Sequence, residues 1–215
     1  MVAPTRHEFF EVFQRVGTNL RFREWWKLQW ETCIQFYAKL GWAMIPIGVR
    51  SKRPVAAFEN YESRGPAGPY LKADDAKYWV WHDFNLAVVA GPSKIIWCDI
   101  DQASIFNNLP GREQLLRGLV MRTPRGYALP LQEGKGARQL DKLTVRGFDF
   151  RSDIMYELVP LSETCTWDHH LRGASHSGPR EPCNTGQKHD YHIRTWITPL
   201  TNPILTISEF LEAVA

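Results

Sequence analysis

Cysteine is scarce, with four in 215 residues, at positions 33, 98, 165 and 183. That is too few and too scattered for a disulfide scaffold. Long apolar runs are missing as well. Stretches such as Leu86–Ala90 and Ile95–Cys98 fall far short of the roughly 20 residues that cross a bilayer, so no membrane partner is expected. The opening residues, MVAPTRHEFF, hold no apolar region and no cleavage site, which predicts a cytoplasmic protein. Neither sign of charge dominates: 26 Lys and Arg face 23 Asp and Glu, a net +3 that neither demands nor excludes nucleic acid. Repeats and low-complexity tracts are absent. What is present is ordinary globular material, 44% hydrophobic and 23% charged, which excludes disordered, collagen-like and coiled-coil chains. The length allows one domain or two small ones.

Periodicity and punctuation give the elements. Thr5 and Glu8 have capping-box spacing, which predicts a helix from near Arg6, broken at Gly17 and Asn19. A second helix is predicted from about Phe22 to Leu40, with Gly41 stopping it. Trp26, Trp30, Cys33, Ile34 and Tyr37 recur along it at three- and four-residue spacing. They form a buried stripe, with a base-stacking surface as the competing reading. Ala43–Val49 reads as an edge strand interrupted by Pro46. Asp74 or Asp75 caps a short helix ending at Trp81. Asn85–Ala90 and Lys94–Asp101 read as strands in a hairpin-like pair about the turn Gly91-Pro92-Ser93. A helix is expected over Arg112–Leu119, and strands on both sides of Pro124-Arg125-Gly126. Thr144–Phe150 and Ile154–Val159 read as another strand pair. Thr164–Tyr191 is poor in aliphatic residues and reads as an irregular excursion. Thr206 and Glu209 repeat the capping-box pattern and open a C-terminal helix. Strands in antiparallel pairs among helices predict an α+β fold.

Charge is uneven along the chain. Between Arg112 and Arg151 lie nine Lys or Arg and four acids, a local excess of five that suits either a phosphate backbone or an ordinary solvated surface. Within Ile95-Ile96-Trp97-Cys98-Asp99-Ile100-Asp101, strand alternation turns Asp99 and Asp101 to one face and Ile96, Cys98 and Ile100 to the other. Two carboxylates at the end of a buried strand repel unless a cation lies between them or one is protonated. Mg²⁺ takes hard oxygen ligands of this kind, and paired metals can activate a hydroxyl and stabilise leaving pyrophosphate. Asp149, between Phe148 and Phe150, is the candidate third acid. Its competing role is as the partner of Arg146 or Arg151.

Several segments fall in a telling order. Tyr37-Ala38-x-x-Gly41-Trp42 precedes Pro46 and Lys52-x-Pro54. Asn85-Leu86-Ala87-Val88-Val89-Ala90-Gly91 precedes Asp99-Ile100-Asp101. Thr123-Pro124-Arg125-Gly126-Tyr127 follows, then Phe148-Asp149-Phe150-Arg151 and Val159-Pro160-Leu161-Ser162. From about Tyr37 to Trp196 this resembles the bifunctional DNA primase/polymerase domain of the archaeo-eukaryotic primase superfamily. The resemblance implies an RRM-like catalytic sheet with a smaller α/β module, and template-directed nucleotidyl transfer with Mg²⁺ or Mn²⁺. Asp99, Asp101 and Asp149 would be the catalytic, metal-binding residues. Arg125, with Lys52, Arg151, Arg122 and Ser162, would meet nucleotide or template. Ser162 has capping a turn as its competing role. That family usually carries a histidine two residues after the second motif's glycine, which contacts the triphosphate. Here the position is Ala128, which cannot donate a hydrogen bond, leaving Arg122 or Arg125 to substitute.

Five of the seven histidines lie between His169 and His192, together with Cys165 and Cys183. Such clustering where core residues are lacking suggests a structural Zn²⁺. Cys165, His170, Cys183 and His189 would make a Cys₂His₂ set, with His169, His176 and His192 as competitors. A loop without metal and a Cys165–Cys183 disulfide are the alternatives. Primase-polymerases with a zinc-bound insertion in this region favour the metal. The expected organisation is a helical extension over 1–40, a catalytic core over 41–200 with the zinc excursion at 164–192, and a C-terminal helix over 201–215. The expected partners are single-stranded DNA template and primer, nucleoside triphosphates and an attached or associated helicase. The expected setting is bacterial, archaeal, plasmid or phage replication. The rival functions are a nucleic-acid-binding domain of weak or no activity, and a metal-dependent nuclease.

Overall fold

Helix α1, Leu20–Lys39, ends where the sequence places a stop. Gly41 adopts φ +70, the left-handed conformation that suits glycine. The Gly41 amide donates to Ala38 and the Trp42 amide to Tyr37, at 3.0 Å each, so the last carbonyls are satisfied by a Schellman turn. Trp30, Cys33, Ile34 and Tyr37 are buried, as the stripe predicts. Tyr37 stacks on Trp42, and Trp42 meets Trp97 edge to face. The computed structural model describes residues 20–48, 54–55, 70–81, 84–134, 140, 143, 146–165 and 191–215. The helix expected near Arg6 lies outside them.

Two main sheets follow, and the fold is α+β with strands almost all antiparallel. The first has three strands in the order β1 (Ala43–Ile47), β2 (Asn85–Val89) and β7 (Tyr156–Leu158). Strand β1 is its edge, where Pro46 costs no ladder hydrogen bond. Leu71 and Val55 reach that edge, their amides donating to Met44 and Pro46. The second sheet runs β10 (Thr195–Trp196), β4 (Met121–Arg122), β5 (Tyr127–Gln132), β3 (Ile95–Ile100) and β6 (Phe148–Arg151). Strand β11, Leu205–Thr206, adds to β5 in parallel. A two-stranded ribbon of β8 (Glu163–Cys165) and β9 (Tyr191–Ile193) closes the ends of the 164–191 segment, which is therefore paired where an irregular start was expected.

The second sheet separates two cores. One face carries Trp97, Met121, Ala128 and Trp196 toward α1 and the first sheet. The other carries Ile96, Cys98, Ile100, Leu129, Leu131 and Phe148 toward a helical layer. That layer holds α3 (Ala103–Asn107), α4 (Arg112–Leu115) and α5 (Ile207–Val214). Helix α2, Ala73–Trp81, lies against α1 with Asp74 and Asp75 in its first turn. Thr206 and Glu209 form the predicted capping box of α5. Helix α4 stops four residues before the expected Leu119, because the chain there turns extended. Gly118 lies against the Leu205 side chain and the Leu119 amide donates to Pro203. Helix α3 had no counterpart in the sequence reading.

Both expected strand pairs are corrected by the topology. Strands β2 and β3 are consecutive yet lie in different sheets, and so are β6 and β7. Residues Gly91–Ser93 form a single 3₁₀ turn, and Lys94 follows at φ 55. Two-residue hairpins favour primed turns, whose first central residue has positive φ, and Pro92 is fixed at negative φ. The chain therefore crosses between sheets instead of folding back. The second crossover, at 152–155, lies against the first: the Gly91 amide donates to Asp153 and the Ala90 amide to Met155.

Candidate active site

The ladder of the second sheet assembles the acids. Strand β3 pairs with β6 so that Asp99 lies directly opposite Asp149, and with β5 so that Asp99 lies opposite Ala128. Ala128 in turn faces Met121. Paired residues share a face, so this row and Asp101, two residues beyond Asp99, sit on the side of the sheet that looks toward the first sheet. Asp99 is 6% exposed, while Asp101 and Asp149 are open to solvent.

Guanidinium groups lie among these carboxylates. Arg151, two residues after Asp149 on the same face, donates from Nη2 to Asp99 Oδ2 at 2.7 Å and from Nε to Asp149 Oδ2 at 3.4 Å. Its Nη1 donates to Glu157. The second oxygen of Glu157 accepts from Arg194 Nη2 at 2.8 Å, and Arg194 Nε donates to the Leu158 carbonyl at 3.1 Å. Arg125 binds Asp101 at 2.5 Å. Its turn is set by Gly126, where a Cβ would lie 1.7 Å from the Ile100 carbonyl, so only glycine lets this turn close on the end of β3. The Ala103 amide donates to Arg125, which ties the same turn to the segment after Asp101.

Asp99 titrates abnormally. Burial, repulsion from Glu157 and, more weakly, from Asp101 raise its carboxyl to about 6, against the opposing pull of Arg151 and Arg194. Desolvation outweighs the ion pair here because Arg151 divides its donors among three carboxylates. Asp99 Oδ1 is buried without a hydrogen-bond partner. Among the described residues, no three His, Cys, Asp or Glu side chains stand gathered as a metal-holding group, and Arg125 and Arg151 lie against the acids. The chemistry of the donors is of the kind a hard divalent cation takes: three carboxylates on one face, one with a buried oxygen that has no hydrogen-bond partner.

The other expected residues fall elsewhere. Arg122 sits beside Tyr127 on the opposite face, its guanidinium 4.6 Å from that ring, and so is not with the acids. Ser162 is buried; its hydroxyl donates to the Leu86 carbonyl and accepts from the Leu86 amide, which ties the turn after β7 to β2. Lys52, His170, Cys183 and His189, and the competitors His169 and His176, lie outside the described residues. Cys165 and His192 are placed only as backbone in the ribbon. Cys33 and Cys98 are buried free thiols, raised by burial, to about 12 for Cys33. Glu157 and Arg194 were missed by sequence reasoning. The available signal was an acid inside the apolar stretch Tyr156-Glu157-Leu158-Val159.

A model of the bifunctional DNA primase/polymerase N-terminal domain, Prim-Pol, matches residues 34–185. The chain belongs to the Prim-Pol family. The match takes in β1 through β8, and with them all three acids, Arg125, Arg151 and Glu157. Comparison with curated proteins finds no match. No helix among the described residues is long and apolar enough to cross a membrane.

Proposed function

We propose that this Prim-Pol chain is the catalytic domain of a DNA-dependent primase/polymerase. It makes or extends primers on single-stranded DNA from nucleoside triphosphates by nucleotidyl transfer. The observation that carries this reading is the register that sets Asp149 across from Asp99, with Asp101 on the same face. Asp99, Asp101 and Asp149 are the ligands for Mg²⁺ or Mn²⁺. When bound, the cation supplies charge neutralisation at the phosphates and a more acidic 3′-hydroxyl. Asp99, buried near the end of β3 between β5 and β6, fixes the position of the site. Asp101 and Asp149, exposed beside it, complete the ligand set. Arg125 and Arg151 lie close enough to the acids to turn their donors to nucleotide or template phosphate, where a guanidinium fork binds well. Lys52 belongs to the same basic group on sequence grounds. In this reading the six-stranded sheet is the RRM-like catalytic layer and the three-stranded sheet the smaller module. Zn²⁺ held by Cys165, His170, Cys183 and His189, an associated helicase and a cytoplasmic replication setting complete it.

Ala128 favours a second reading, a nucleic-acid-binding domain with little catalysis. It is fully buried beside Asp99 and offers no donor to a triphosphate. Primer extension with Mn²⁺ on a primed single-stranded template separates the two. The catalytic reading predicts extension by the wild type and loss of more than about a hundredfold in Asp99→Ala/Asp101→Ala, the scale of removing charge stabilisation from a transition state. Ala128→His is expected to raise extension per folded molecule, at a stability cost of about 1–3 kcal/mol for the added bulk. Binding of the template without extension by any of the three proteins would support the second reading.

A further inference from the structure

Arg151 meets a different carboxylate through each of its three nitrogens: Asp99, Asp149 and Glu157. The three partners are not alike. Asp99 and Asp149 stand opposite each other on the six-stranded sheet, whereas Glu157 comes from β7 of the other sheet. Glu157 is also the most firmly fixed. It is 0% exposed, and its second oxygen is held by Arg194, itself 3% exposed and tied to the Leu158 carbonyl. In this cluster three carboxylates face two guanidiniums, so one negative charge is left over, and Asp99 Oδ1 and Arg194 Nη1 are both buried without partners. A purely structural ion network would be expected to close these valences. An open acidic oxygen and surplus negative charge instead suit a site whose cationic partner exchanges.

We infer that Glu157 is a positioning residue that tethers Arg151. This rests on the nucleotidyl-transfer reading of the site. Arg151 can give up Asp99 and Asp149 when a divalent cation takes them, yet stay in place because its Nη1 remains on Glu157. Its Nη2 and Nε are then free to donate to the polyphosphate of an incoming nucleotide. Arg151 thus supplies the phosphate donors that Ala128, in the same row of the sheet, does not. Without the tether, Arg151 settles wholly on the two aspartates, which both hides its donors and competes with the cation.

Calorimetric titration of the full chain with Mn²⁺, and separately with Mn²⁺ plus a non-hydrolysable nucleoside triphosphate, tests this without turnover. Arg151→Gln should bind Mn²⁺ more tightly, since a competing cation is gone, and nucleotide about tenfold more weakly. Glu157→Gln should weaken nucleotide by about tenfold and Mn²⁺ by about threefold. In the Arg151→Gln background, Glu157→Gln should cost no further nucleotide affinity, because it acts only through the arginine. A Glu157→Gln protein with wild-type nucleotide affinity, or additive losses in the double variant, would overturn the tether and leave Glu157 a structural ion partner. If circular dichroism shows Glu157→Gln unfolded, Glu157→Asp carries the test. It keeps the charge one methylene short of Arg151, should weaken nucleotide in the same direction, and overturns the tether if affinity is unchanged. A wild type that binds neither Mn²⁺ nor nucleotide defeats the nucleotidyl-transfer reading itself and the tether with it.

Discussion

At Asp99 the requirements of folding oppose those of the proposed metal binding. Its carboxyl ionises near 3.8 when exposed and near 6 in the fold, so the folded chain holds this proton more tightly than the unfolded one. The stabilisation is therefore complete below about pH 4 and is lost as pH rises through 6. The gap of roughly two pH units sets the scale of the loss, on the order of 3 kcal/mol. Asp99→Asn keeps the shape and removes the buried charge. At pH 7.5 in EDTA it is expected to raise the urea midpoint, and to flatten the fall in stability between pH 4.5 and 7. Arg151 keeps Glu157 and Asp149 as partners, so no cation is stranded. An unchanged slope in Asp99→Asn would show that another group carries the pH dependence. Primer extension should vanish in the same variant. The sequence brought Asp99, Asp101 and Asp149 to notice through alternation and aromatic flanks. Glu157 and Arg194 stayed hidden because Glu157 meets Arg151 only across the passage from one sheet to the other, and meets Arg194 across 37 residues.

At the scale of elements, α1 shows how far periodicity reaches. Its buried stripe, its stop at Gly41 and its length within two residues were all legible, because i, i+3 and i+4 spacing and a left-handed glycine are local properties. What spacing did not give is the partner. Tyr37 accepts a hydrogen bond from Trp196 Nε1 at 3.2 Å, across 159 residues, and so binds the helix to β10 of the six-stranded sheet. Tyr37→Phe leaves the indole N–H buried and unpaired. Its expected cost is about 1–3 kcal/mol, read by thermal denaturation, with the helical circular dichroism signal unchanged below the transition. An unaltered melting temperature would mean that the indole finds another acceptor.

For the whole molecule, the two crossovers decide the architecture. At 91–94 and 152–155 the chain passes from one sheet to the other, and hydrogen bonds tie these passages together. They set the acid-bearing face of the second sheet against the first sheet, which contributes Glu157. A Cβ at Gly91 would lie 2.7 Å from the Asp153 carbonyl, backbone against backbone. Gly91→Ala should therefore destabilise by about 1–3 kcal/mol and also weaken Mn²⁺-dependent nucleotide binding, because it parts Arg151 from Glu157. Equal loss of stability with undisturbed nucleotide affinity would show that the crossover serves the fold alone.

Local pattern was enough for the α+β class, the Gly41 stop of α1, the capping box of α5 and most strand positions, since each follows from spacing along a few neighbouring residues. The sequence also carried the ordered motifs by which the chain is recognised as Prim-Pol. Tertiary structure alone decided that β2 and β3, like β6 and β7, separate into different sheets. It also put Arg122 on the far face and committed Ser162 to the Leu86 backbone. Above all, it placed a fully buried glutamate between two arginines. Those outcomes depend on which surfaces meet after the chain crosses over, and strand pairing between distant segments leaves no period for the sequence to display.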